Sequence, residues 1–99
     1  MRQFAFIPCY YEWHLIDTAT EETLHNVEDP SESMEYYHSV EELEERSKEI
    51  LLEADTYYEN HLDYDGVLLD DDKRLSEEEM NAAAKVMAEA LYNYYIKQP

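Results

Sequence analysis

Charge is so unevenly distributed along this chain that it limits where a core can be built. Residues 28–79 carry twenty acids and four bases, residues 1–27 four acids and one base, and residues 80–99 one acid and two bases. Nearly all of the excess lies in the middle half, so the strongest apolar signals come from the two ends. Over the whole chain twenty-five acids face seven bases, a formal net charge of -18 in 99 residues. That length makes residues 1–99 a single acidic domain with a modest core. The apolar fraction, 44%, is ordinary for a folded protein, so the charge does not by itself imply disorder. It does disfavour direct binding to DNA, RNA or an anionic membrane, because phosphate contacts need Lys and Arg. A basic partner is favoured instead. The lone Cys9 allows no internal disulfide. No apolar run has the length of a membrane span or the layout of a secretory signal, and the expected location is the cytoplasm.

The C-terminal segment has the clearest local pattern. Ser76 and Glu79 form a capping box, and Glu77–Glu79 suit the positive end of a helix dipole. Met80, Ala83, Ala84, Met87, Leu91 and Tyr94 then recur at helical spacing, which predicts a central core helix over about 76–97. A second capping box, Ser39 to Glu42, opens a helix predicted to reach about residue 60. Val40, Leu43, Ile50, Leu51, Ala54, Tyr58 and Leu62 are its expected buried side. Gly66 marks the turn beyond, and 66–69 could form a short strand. At the other end FAFIPCYYEWHLI reads as strand, with Pro8 implying an edge position or a bulge. Residues 17–27 suit a turn plus return strand better than a short helix, and 28–38 read as a loop. The expected class is therefore α+β: a small antiparallel sheet from the N-terminal half with two long helices, about 39–60 and 76–97.

The string LDYDGVLLDDD, residues 62–72, resembles the first motif of the haloacid-dehalogenase superfamily. That resemblance implies Asp63 as a phosphoryl-accepting nucleophile and Asp65 as general acid/base. The context argues against it. A helix end precedes the motif where that family needs a buried strand, and only thirty-three residues follow Gly66. Neither a cationic clamp nor further metal-holding segments can be placed in that length. Read as a calcium loop, the same string puts Asp63, Asp65 and Asp72 at ligand positions, but His61 stands where the first carboxylate should be. The four His show no ligand spacing and one Cys cannot build a zinc site. His14 and Cys9 are expected as a partly buried structural pair. No catalytic residue, cofactor or dedicated metal site is assigned.

The first helix carries Glu41, Glu45, Glu49 and Glu53 at intervals of four. Each step is about 6 Å along the axis, and each like-charged i,i+4 pair costs roughly 0.2–0.5 kcal/mol. Asp55, Glu59, Asp63, Asp65, Asp70, Asp71 and Asp72 extend the negative surface as expected partner contacts. Tyr57, Tyr58 and Tyr64 lie within it as candidate anchors, since tyrosine gives large contact area at low entropic cost. Of each Tyr-Tyr doublet (10–11, 36–37, 57–58, 94–95) one member is expected in the core. In size, charge and Tyr/Asp/Glu-rich helices the chain resembles the small acidic DNA-mimic proteins by which bacteriophages block restriction or CRISPR nucleases. That resemblance implies a non-catalytic inhibitor seated on the basic groove of a host defence nuclease or other nucleic-acid-binding protein. Two alternatives stand beside it: an assembly domain pairing into homodimers through the apolar C-terminal helix, and a weak Ca²⁺-binding helix–loop–helix.

Overall fold

The computed structural model describes residues 2–28, 30, 34–60, 62, 64–66 and 73–97, apart from the side chains of Glu35 and of residues 57–60. Three strands form an antiparallel sheet of order β1-β2-β3: β1 Phe4–Cys9, β2 Glu12–Asp17 and β3 Glu22–Glu28. A short 3-10 turn, Met34–Tyr36, leads to helix α1, Val40–Asn60, and α2 spans Glu77–Leu91. The last turn, Tyr92–Ile96, widens to π geometry. The fold is α+β, as the apolar patterning predicts. Among the described residues no helix is long and apolar enough to cross a membrane.

Helix α2 organises the core because its charge-free stripe is the widest apolar surface in the chain. Met80, Ala83, Ala84, Met87, Ala88 and Leu91 are all buried on it. The alanines let both α1 and β1 approach its backbone closely. Ser76 closes the predicted capping box: its Oγ accepts from Glu79 N (3.1 Å), and Glu79 Oε1 accepts from Ser76 N (3.0 Å). Met87 (0% exposed) and Leu91 (5%) lie inside the core, so neither is presented to a second copy.

Helix α1 begins at Val40 with Ser39 Oγ accepting from Glu42 N (3.3 Å). Glu42 in turn accepts from His38 N (3.0 Å), one residue earlier than a capping box would place it. Leu43, Ser47 and Leu51, spaced by four, form the buried row against α2. Ser47 takes a core position as the only polar member of that row, at 1% exposure. Leu62, expected on the buried side, is 54% exposed. The proposed strand at 66–69 lies largely outside the described residues. Gly66 adopts φ +84°, the left-handed conformation that the turn requires.

The sheet packs one face on the helices. Phe6 and Trp13 stack with ring centroids 5.0 Å apart, and Trp13 meets Tyr94 edge-on at 5.3 Å. The indole Nε1–H donates to Tyr95 Oη (3.3 Å), which satisfies the polar edge of a residue only 3% exposed. Pro8 sits in β1, an edge strand, where its missing N–H costs no ladder bond. The segment 17–27 does make the return strand: Asp17 Oδ1 accepts from Ala19 N (2.9 Å) and Asp17 O from Glu21 N (2.7 Å). The irregularity in the sheet falls in β3, where Leu24 is the extra residue between the Leu15–His25 and Ile16–Thr23 pairs.

The N-terminal segment departs from the sequence pattern. FAFIPCYYEWHLI is not one strand but two, folded back at Tyr10–Tyr11 with Cys9 opposite Glu12. Tight hairpins normally place Gly or Asn where φ is positive, yet here Tyr10 takes φ 58°. Both tyrosines of this doublet are exposed, at 98% and 87%, contrary to the expectation that one would be buried. Because the Tyr10 ring packs on nothing, Tyr10→Gly should remove the left-handed strain and raise stability by about 0.5–1 kcal/mol. A urea midpoint that stays level or falls would show that the turn carries no strain.

Candidate binding surface

The carboxylates predicted as contacts on α1 fall into three groups. Glu41 and Glu45 are exposed on the first half of the helix and have no ion-pair partner among the described residues. Glu49 and Glu53 are exposed too, but they share Arg46, whose Nη1 lies 3.2 Å from Glu49 Oε2 and 3.6 Å from Glu53 Oε1. Asp55 is engaged within the fold. Arg74 chelates it with Nε 2.8 Å from Oδ1 and Nη2 3.0 Å from Oδ2. Both side chains are about three-quarters shielded.

This division has a helical cause. A row spaced by four drifts about 40° per step, so Glu53 stands roughly a third of a turn round from Glu41. The row therefore leaves the open face at one end and approaches Arg46's reach at the other. Asp55, two residues past Glu53, falls on the side that meets the segment leading into α2. The partner was invisible in the local pattern because Arg74 lies nineteen residues away along the chain.

Of the remaining candidates, Asp65 is exposed and Tyr64 wholly so, at 102%. Glu59, Tyr57 and Tyr58 belong to the last turn of α1, but their side chains lie outside the described residues. Asp63, Asp70, Asp71 and Asp72 lie outside them altogether, so the expected acidic extension past Gly66 has no described counterpart. Most of the calcium-loop reading of 61–72 falls outside with them. Among the described residues no group of three or more His, Cys, Asp or Glu is placed to hold a metal ion. The expected pair of Cys9 and His14 does not meet in register; His14 is opposite Ile7, and its Nε2 lies 2.8 Å from Glu12 Oε1.

A cavity of about 310 Å³ opens between β3 and α1. Its walls are mainly apolar, including Phe6, Val27, Leu43, Ile50, Met87 and Leu91. The cavity also shows the relative direction of the helices. The N-terminal half of α1 lies beside the C-terminal half of α2, while Leu51 and Asp55 share a smaller hollow with Arg74 and Met80. His25 borders that hollow, where burial and then the charge of Lys73 push its imidazole below its usual pKa.

A second basic clamp holds the same, N-terminal end of α2. Arg2 Nη1 donates to Arg74 O (2.9 Å), its backbone N–H to Glu79 Oε2 (3.3 Å), and its Nε lies 3.7 Å from Asp17 Oδ2. The backbone N–H of Ser76, with help from Arg2, holds the Glu79 carboxyl below its ordinary value.

The architecture is thus a three-stranded antiparallel meander on two antiparallel helices, with an acidic outer helix face. Comparison with protein-family models, with curated proteins and with solved structures gives no match in any of the three.

The Glu79 clamp has a signed consequence. A carboxyl with a lowered folded-state pKa stabilises the fold above its unfolded value, near 4.5, and that stability fades as pH falls through the folded value. Glu79→Gln keeps an acceptor for Ser76 but not the charge. It should unfold at lower urea than wild type at pH 7, and the gap should close once pH drops below the depressed pKa. A gap of unchanged size at pH 2 would assign the loss to shape rather than charge.

Proposed function

We propose that this is a non-catalytic acidic binding protein that occupies the basic groove of a nucleic-acid-binding protein, such as a host defence nuclease, in place of nucleic acid. It acts in the cytoplasm, that of the host cell if the chain is phage-encoded. The reading rests chiefly on one observation: the exposed Glu41 and Glu45, without an ion-pair partner among the described residues, on a 21-residue helix that carries eight acids and two bases.

Three physical points support it. The i,i+4 repulsion between Glu41 and Glu45 costs helix stability, and among the described residues neither carboxylate meets a cation that offsets it. Fixed negative charges about 6 Å apart on a helix can stand in for successive phosphates against Lys and Arg. The long-range field of the whole chain would speed capture by a basic partner and keep displaced nucleic acid away. Glu49 and Glu53 remain at the surface beside Arg46, and Asp65 and Tyr64 extend the exposed face past α1. Asp55 is not needed as a contact, because its charge already serves Arg74.

Glu41→Lys/Glu45→Lys tests this directly, because neither residue has an ion-pair partner among the described residues to lose. The double reversal relieves like-charge contacts along α1 but places a cation in its first turn at residue 41, so the two effects offset and stability should shift by no more than about 1 kcal/mol. Proteins retained from a host lysate by the wild-type chain at low salt should be released at high salt and absent with the double variant. The retained protein should also lose its DNA or RNA when the wild-type chain is added. Retention by the double variant, or a ternary complex in which nucleic acid stays bound, would overturn the mimic reading.

A further inference from the structure

The hairpin tip at Tyr10–Tyr11 combines three local costs with no internal return. A bulky residue occupies a left-handed conformation at φ 58°. Two aromatic side chains stand almost entirely in water, at 98% and 87% exposure. Beside them Glu12 and Glu28 face each other directly across β2 and β3, a like-charge cross-strand pair that weakens a sheet. Strand alternation puts Glu12 on the sheet face opposite Trp13, while Glu28, at the end of β3, borders the mouth of the cavity beside α1. Glu28 has no ion-pair partner among the described residues, and one oxygen of Glu12 meets His14.

The position of the tip matters as well. Trp13, two residues beyond Tyr11, packs on Tyr94 and Tyr95 after the end of α2. The N-terminal half of α1 lies alongside that same end, across the cavity it shares with Met87 and Leu91. The tyrosine tip and the exposed Glu41 and Glu45 therefore lie toward one end of the molecule.

We propose that Tyr10 and Tyr11, with the Glu12–Glu28 carboxylates, form a docking surface for an arginine-bearing segment of a basic protein. This rests on the reading above that the partner is basic, and adds where and by what chemistry it is anchored. Charge selects the occupant. A second copy of this chain brings another -18, and nucleic acid or an anionic membrane would be repelled as well. Chemistry then selects arginine over lysine. A guanidinium plane stacks on tyrosine faces and its fork matches carboxylate oxygens, whereas an ammonium offers only a hydrated point charge.

Fluorescent hexa-arginine and hexa-lysine peptides, titrated at low salt, provide the test. The wild-type chain should bind hexa-arginine more tightly than hexa-lysine. Tyr10→Gly/Tyr11→Ser, which removes two exposed rings and relieves the turn, should weaken hexa-arginine by about five- to thirtyfold and leave hexa-lysine nearly unchanged. Glu41→Lys/Glu45→Lys should weaken both peptides alike. A tyrosine variant that binds both peptides as wild type does, or loses both equally, overturns the arginine anchor while the helix reading stands. If the wild-type chain binds neither peptide, both readings fail. A melting curve on each variant confirms that it is folded.

Discussion

Repulsion among carboxylates is the constraint to which every other feature of this fold responds. With twenty-five acids and seven bases, the chain cannot neutralise its surface, and two of its arginines instead hold elements together. Arg74 and Arg2 are not spread over the acidic face. They meet at the N-terminal end of α2, where one chelates Asp55 and the other reaches Asp17 and the Glu79 clamp. A partly shielded, bidentate Arg–carboxylate pair holds its geometry better than an exposed single contact. The clamps thus fasten α1, the sheet and α2 together at one end, while the apolar stripe of α2 holds the middle. Most of the remaining described carboxylates are left facing water.

That arrangement separates what could be read from the sequence from what could not. The start of α2 at Ser76 and that of α1 at Ser39 were legible because capping chemistry is local. The acceptor and the orphan N–H groups lie within three or four residues of each other. The buried row of α2 was legible because alanine, methionine and leucine repeat at helical period without interruption. Ser47 escaped, since a small polar side chain on a helix can be buried at low cost and leaves no hydrophobic mark. The hairpin at Tyr10–Tyr11 escaped for the opposite reason: it lacks the glycine, asparagine or aspartate that signals a turn. The engagement of Asp55 depends on a tertiary contact, and no local pattern encodes that.

Helical geometry also narrows the candidate surface. A row of glutamates spaced by four looks like one stripe when written as sequence, but a drift of about 40° per step turns it into a short helical ribbon. Its first half, Glu41 and Glu45, is open; its second half comes within reach of Arg46. Charge density alone would have weighted all four equally. Geometry shifts the weight toward the start of α1, and toward the end of the molecule where the β1–β2 turn also lies.

Local penalties that bring no internal gain are informative only when they accumulate in one place. A single exposed tyrosine, or one like-charged pair, is common on protein surfaces. Here a strained turn, two solvated aromatic rings, an opposed Glu12–Glu28 pair and two exposed helix glutamates four residues apart converge on one end of a small domain. A domain of this size has little stability to spare. Such costs persist most readily if something outside the chain recovers them. Aromatic planes and paired carboxylates are what a guanidinium needs in order to be held in a fixed orientation, whereas a diffuse negative field holds any cation in none. On the proposed reading the helix glutamates would attract a basic partner from a distance, and the hairpin tip would fix where it settles.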